Sequence, residues 1–352
     1  MRRVSRVLLL LVVVIGAVVV WHYWRRPPRP PAKPKPPPPA IATITFVGDI
    51  ALASGVGKVA AAHGTESLFA DVKQVLLHDD LTVANLECAV ATRGTPAKKK
   101  YTFLAAPPLL RGLRDGGVDA VSLANNHSLD YGRDALMETL RHLQDAHLPA
   151  AGAGADLEAA TRAVPVRAGR LKVALIAASR VLPADAWRAA VGRPGVAQAY
   201  DPERLLAGIR AARATADIVV VYLHWGKERA LRPQPYQRSL ARSCIDAGAH
   251  LVVGAHPHVL QGFEYHRGRL IAYSLGNFVF NNRTPTTAMV QTTFRDGAMI
   301  RATVIPCHIA DYRPRVITNP GARRRVLRDL AARSYGVRIG DDGEIEPHSH
   351  KG

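Results

Sequence analysis

Five apolar, strand-forming runs in this chain each end on a side chain that can ligate a metal: Asp49, Glu87, Asn126, His224, and the pair His256 and His258. In an open α/β sheet the binding crevice lies beyond the carboxyl ends of the strands, so residues far apart in sequence converge there when their strands are neighbours. Each residue is ordinary by itself. An Asp after a strand is usually a turn former, and a lone His is usually a satisfied surface or core group. Their repetition is what constrains the fold, because it requires a sheet whose strands aim their carboxyl ends at one place.

From Ile41 onward short β-rich runs alternate with amphipathic stretches, the pattern of a mixed or parallel sheet covered by helices. Strands are expected at 43–47, 81–86, 118–123, 171–177, 217–223, 249–253, 270–274 and 298–305, and helices at 133–147, 202–214 and 235–247. Residues 289–306 read as paired edge strands closing a second sheet, and the Arg-rich 322–333 as a terminal helix with a solvated basic face. The expected domain spans 41–335, followed by a polar, disordered tail at 336–352 that carries His348 and His350.

The strand ends carry distinct chemistry. In Thr45-Phe46-Val47-Gly48-Asp49 the glycine allows a sharp turn and the carboxylate projects from the strand tip. Ala84-Asn85-Leu86-Glu87 leaves Glu87 at the next tip. The most specific stretch is Asn125-Asn126-His127-Ser128-Leu129-Asp130-Tyr131-Gly132. There an Asn amide oxygen can ligate a metal while the adjacent imidazole reaches a substrate oxygen, with Asp130 available to orient the ring or to cap the following helix. An Asx turn capping that helix is the plainer reading. His224-Trp225-Gly226 puts a His beside a glycine that permits close approach, and His256-Pro257-His258 spaces two imidazoles to face two neighbouring ions.

The N-terminus is of a different kind. After Arg2, Arg3 and Arg6, an unbroken apolar run leads to Trp21, Tyr23 and Trp24. At ~1.5 Å rise per residue, Val7 to Trp24 covers roughly 27 Å, close to a hydrocarbon core of about 30 Å. Residues 7–24 read as an uncleaved signal anchor behind a basic tail at 1–6. A cleaved signal peptide competes, but its best small-residue site, Ala40 to Ala42, lies behind a long Pro-rich stretch. Residues 25–40 read as a stiff, basic polyproline II stalk, about 40 Å long at ~3.1 Å per residue. Flanking positive charge, counted literally, places the C-terminal side in the cytoplasm.

The chain of 352 residues carries 47 Lys and Arg against 28 Asp and Glu, a formal charge of +19. That excess suits an anionic partner, or else reflects a generally Arg-rich composition. No zinc finger, recognition helix or aromatic-interleaved basic motif supports nucleic acid. The three cysteines, Cys88, Cys244 and Cys307, allow at most one bridge and their spacing implies none.

Together with Tyr101-Thr102-Phe103, Pro257-His258-Val259-Leu260-Gln261 and Ser274-Leu275-Gly276-Asn277-Phe278-Val279-Phe280, these motifs resemble the CapA family of capsule or poly-γ-glutamate synthesis proteins. The resemblance implies an α/β four-layer αββα sandwich of the metallophosphatase-like (calcineurin-like phosphoesterase) kind, preceded here by one transmembrane helix. It also implies a centre of two divalent metal ions, Mn, Fe or Zn. Asp49, Glu87 and His258 would form one metal site, and Glu87, Asn126, His224 and His256 the other. Glu87 would bridge, His127 would protonate the leaving group, and Asp130 would assist it. Lys100, Tyr101 and Asn277 are its candidates for the substrate rim. The wider metallophosphatases usually carry a His two residues after the first Asp, where this chain has Ala51, and their bridging Asp is here the longer Glu87.

Two functions follow from the resemblance. One is a membrane-anchored, extracytoplasmic hydrolase acting on a phosphoester or on bonds of an anionic envelope polymer such as poly-γ-glutamate, alongside other capsule synthesis or export proteins. The other is an assembly or export factor that uses the same fold to bind the polymer without turnover, through cations such as the Lys98, Lys99 and Lys100 run.

Overall fold

The computed structural model of the protein describes residues 2–25 and 38–348. Residues Met1–Pro38 and Pro39–Gly352 form two separate compact units. The first contains one helix, Arg2–Trp24, whose segment Val7–Trp24 is long and apolar enough to cross a membrane. Most of the Pro-rich stalk lies outside the described residues.

The second unit holds two sheets packed face to face. The first has eight strands, in the order Arg313–Val316, Ala298–Ala310, Thr286–Arg295, Ile41–Ile50, Leu81–Leu86, Ala120–Ser122 and Ala150–Ala151, with Asn277–Val279 also paired parallel to Ile41–Ile50. The second has six, in the order Phe263–His266, Arg269–Ala272, Leu251–Ala255, Ile218–His224, Leu171–Ser179 and Val164–Ala168. Ile41–Ile50, Leu81–Leu86, Ala120–Ser122 and Ala150–Ala151 run parallel, as do Leu171–Ser179, Ile218–His224, Leu251–Ala255 and Arg269–Ala272.

The period-2 alternation of a strand sends successive side chains to opposite faces, and both faces here are apolar. Ile44, Phe46 and Val83 meet Leu175, Val220 and Val253 between the sheets. Val47, Ala84 and Leu86 face outward onto Leu136 and Leu143 of the helix Gly132–Asp145. Val219, Val221 and Val252 face outward onto Leu205 and Ile209 of Glu203–Arg213 and onto Leu240 and Cys244 of Pro235–Asp246. These three cores define four layers, αββα, as expected. The Tyr222 hydroxyl crosses the middle layer and donates to the Val47 carbonyl at 2.5 Å.

Three expectations are corrected. Thr286–Arg295 and Ala298–Ala310 do form an antiparallel pair, but they extend the first sheet beside Ile41–Ile50 and do not close the second. Residues 336–348 are not a disordered tail. Val337–Ile339 and Ile345–Pro347 pair as a hairpin whose Val337 and Ile345 are buried against the core, with the Tyr265 hydroxyl donating to the Ile345 carbonyl. The charges of Asp341, Asp342 and Glu344 dominate that stretch, yet Asp-Gly between apolar alternating residues is a hairpin signal. The helix Pro320–Arg333 is therefore not terminal. Finally, Gly48 serves close approach and not a turn: a Cβ there would lie 1.9 Å from the Gly276 carbonyl oxygen.

Candidate metal centre

Because the parallel strands of both sheets end at one edge of the sandwich, their terminal side chains converge. Asp49, Glu87 and Asn126 come from the first sheet, and His224, His256 and His258 from the second. Candidate ligand atoms of Glu87, His224 and His256 all lie within 4.8 Å of one another, and so do those of Asp49, Glu87 and His258. Glu87 belongs to both groups. Asn126 joins the first group, its Oδ1 lying 2.8 Å from Nε2 of His224. His256 and His258 both adopt positive φ, 95° and 58°, a region that costs a non-glycine residue of order 1–3 kcal/mol. That conformation turns both rings of the His-Pro-His segment toward the site.

Several polar atoms of the cluster have no partner within the protein. Glu87 is fully buried, and neither of its carboxylate oxygens has a hydrogen-bond partner, nor has Nδ1 of His256. Buried polar atoms are nearly always paired, so three orphans in one cluster fit a site built for metal. Burial, then the Asp49 charge, push Glu87 well above the usual carboxylate range. Burial and the neighbouring His258 pull His256 down to about 3, and burial and His256 hold His224 well below the usual value. Burial also opposes the charge on His258, but Glu87 and Asp49 outweigh it and hold that imidazole up to about 10.

Neighbouring amides hold these groups in place. Asn85 Nδ2 donates to Asp49 Oδ1 at 2.8 Å, and Asn125 Nδ2 donates to Asn85 Oδ1 at 3.1 Å and to the Leu86 carbonyl at 2.8 Å. Of the two adjacent asparagines, Asn125 is thus a scaffold and Asn126 faces His224. His127 Nδ1 lies 2.6 Å from Asp130 Oδ2, which assigns the Nδ1 proton to that bond and turns Nε2 toward Glu87 Oε1, 3.9 Å away. Phe103 stacks on the His127 ring at 4.4 Å.

The rim expectations divide. Asn277 is inside the cluster, with its Oδ1 2.8 Å from His258 Nδ1, so it orients that imidazole. Tyr101 is exposed, with the Lys100 ammonium 5.2 Å from its ring centroid. The lysine of the run that enters the site is Lys99, with Nζ 2.6 Å from Asp130 Oδ1. Asn85, Asn125 and Phe103 stand in the quoted motifs without a role assigned to them, and Lys99 was expected to meet the polymer together with its two neighbours, whereas its ammonium pairs with Asp130. The three cysteines are free and buried.

The four-layer αββα sandwich thus carries, at one edge, two groups of candidate ligand atoms that share one carboxylate. Residues 43–282 match the family described as "Bacterial capsule synthesis protein PGA_cap", and the chain belongs to that family. It is 33% identical over 299 residues to the capsule biosynthesis protein CapA of Bacillus anthracis, covering 82% of this chain and 72% of that one. It is 32% identical over 312 residues to the PGA biosynthesis protein CapA of Bacillus subtilis (strain 168), covering 87% and 82%. Among solved structures, the calcineurin-like phosphoesterase YfkN from Bacillus subtilis aligns over 79% of this chain and 89% of that one, at 16% identity and a TM-score of 0.42.

Proposed function

We propose that this protein acts in the synthesis of an anionic capsule or envelope polymer of the poly-γ-glutamate kind, as a membrane-anchored hydrolase dependent on two divalent metals. The orphaned Glu87 carboxylate, shared by two ligand clusters, is the observation that carries this reading. Asp49, Glu87 and His258 would hold one ion, and Glu87, Asn126, His224 and His256 the other. Carboxylate, amide and imidazole donors suit Mn, Fe or Zn. Bound there, such a pair supplies an activated water and polarises the ester or amide under attack.

The chain's own groups supply the rest. Asp130 holds the His127 Nδ1–H, so Nε2 is the free atom of the ring: it would take a proton from the attacking water and return that proton to the leaving group. Asn277 sets the orientation of His258. Lys100 and Tyr101, exposed on the same loop, are placed to meet an anionic chain as it arrives. The apolar helix would anchor the chain with its catalytic unit on the extracytoplasmic side, where other capsule synthesis or export proteins are its partners.

The test uses the full chain in detergent, supplied with Mn²⁺, beside Asn126→Ala and His256→Ala. Metal content and hydrolysis are measured on bis(p-nitrophenyl) phosphate and on poly-γ-glutamate. About two metals per chain, with turnover lost in both variants, is the expected result. Metal without turnover on either substrate would leave a polymer-binding factor on the same fold, and absence of metal would overturn the site.

A further inference from the structure

We infer that Lys99 is a positioning residue for the reaction, holding Asn126 and the His127–Asp130 pair in register with each other. The inference rests on the hydrolase reading above and adds a group to it. Lys99 sits on the loop after residue 91, beside two lysines of the same composition, and it alone of the three turns inward. Its ammonium lies 2.6 Å from Asp130 Oδ1 and donates to the Asn126 carbonyl at 2.5 Å. The same nitrogen is 3.2 Å from His127 Nδ1 and 5.1 Å from the Trp187 ring centroid.

The geometry is that of a clamp. Asp130 is fully buried, and its carboxylate also accepts from the Phe103 amide at 2.6 Å and takes the His127 Nδ1–H at 2.6 Å. Its main-chain carbonyl accepts from the Ala97 amide at 2.7 Å. The 97–103 loop is therefore wrapped around one carboxylate, and Lys99 is the only charged group it sends there. An ammonium has three donors and no acceptor. One of them is donated to the Asn126 carbonyl while the charge pairs with Asp130, and the two lie on either side of His127 in sequence. The 126–130 turn is thereby closed from outside by a single cation. This ties the amide oxygen that faces His224 to the imidazole that faces Glu87.

Charge matters here as well as length. A buried carboxylate shared by an imidazole and an amide, with no cation, keeps a desolvation cost that the turn can relieve only by moving. A displacement of about 1 Å in such a pair costs roughly 100-fold in rate. Loss of Lys99 is therefore expected to lower kcat by about that factor with little change in KM, because the lysine touches the machinery and not the polymer.

Lys99→Ala and Lys172→Met are compared with the wild type, as full chains in detergent, on bis(p-nitrophenyl) phosphate with Mn²⁺. In Lys99→Ala, kcat falls about 100-fold, metal content and thermal midpoint stay near the wild-type values, and added propylammonium restores much of the rate whereas equal sodium does not. Lys172→Met, an exposed lysine outside the site, keeps the wild-type kcat. A second readout needs no turnover. The His127 Nδ1–H, bonded to Asp130, gives a far-downfield proton resonance in the wild type that broadens or vanishes in Lys99→Ala and returns with propylammonium. Wild-type kcat together with an unchanged resonance in Lys99→Ala would overturn the assignment, as would a loss of rate that tracks loss of metal or fold and that propylammonium does not reverse. If the wild type itself is inactive, the hydrolase reading falls and the resonance alone decides whether Lys99 holds the turn.

Discussion

The two ends of the same strands treat polar side chains in opposite ways. At the amino-terminal edge, Asp80 stands just before Leu81–Leu86, Asp119 before Ala120–Ser122, and Asp217 before Ile218–His224. Each gives its own amide to a carbonyl of the neighbouring strand and takes the amide of that same residue on its carboxylate. The partners are Thr43, Thr82 and Lys172, with the carboxylate bonds at 2.8, 2.7 and 2.7 Å. His250 does the same for Val219, its Nδ1 accepting at 2.9 Å. At the carboxyl edge the Glu87 carboxylate accepts nothing. One edge uses acidic groups to finish a ladder that would otherwise leave orphan amides. The other leaves acidic and imidazole groups unfinished, which is how a ligand site differs from a structural one.

This contrast can be broken at either edge. The largest effect is expected from Glu87→Gln, which should abolish hydrolysis and bound metal, yet raise the stability of the metal-free protein at pH 7. The sign follows from the elevated Glu87 pKa. The unfolded carboxyl ionises near its usual value while the folded one resists, so stability falls as pH rises above that usual value. An amide carries no such loss. Urea unfolding in EDTA should show the gain at pH 7 and its disappearance near pH 4.

Next in size, Gly48→Ala should destabilise the fold by several-fold more than an ordinary surface change, because its methyl would meet the Gly276 carbonyl oxygen at 1.9 Å. Thermal melts would read this directly. Asn277→Ala should then weaken metal binding by about 10–100-fold, as expected when a ligand loses its orienting partner, without unfolding the protein. Calorimetric titration with Mn²⁺ would test it. The same titration should release protons, since burial and the Asp49 charge favour the protonated form of Glu87 and the His258 imidazolium must become neutral to ligate, so affinity rises with pH.

At the amino-terminal edge the effects are smaller and leave the metal alone. Asp217→Ala should cost about 1 kcal/mol, the usual loss of one side-chain-to-amide bond, with unchanged metal content. His250 adds an acid-sensitive link. Burial, then Arg269, pull it down to about 4, so the unfolded imidazole takes a proton well before the folded one does. The His250 contribution is complete above its ordinary value and is lost as pH falls from about 6.5 toward 4. His250→Gln should flatten that part of the stability profile, and an unaltered profile would count against this account.

Six of the candidate ligands, their allotment to strand tips and the layered architecture were legible because period-2 alternation, helix periodicity and strand-end polarity are local signals. The partners that make the site specific were not. Asn85 and Asn125 read as ordinary polar residues, because what matters is that one amide bridges Asp49 to the next amide across two strands. Lys98, Lys99 and Lys100 are identical in composition, and nothing local distinguishes the one whose ammonium reaches Asp130. The 337–347 hairpin was lost for a related reason: its charge is local, but its burial depends on the Tyr265 strand and on Val304, whose amide donates to the Gly343 carbonyl.

The sequence by itself determined that this chain builds an α/β sheet with metal-ligating groups at its strand ends and carries an apolar helix at its start, since both follow from the order of apolar and polar residues along the chain. Only the tertiary structure decided that Glu87 is shared by two clusters and left without hydrogen bonds, that Asn277 holds His258, and that Lys99 turns inward. Those facts depend on distances between segments that pair across two packed sheets, and burial and electrostatics belong to the space between segments, which no single stretch of sequence encodes.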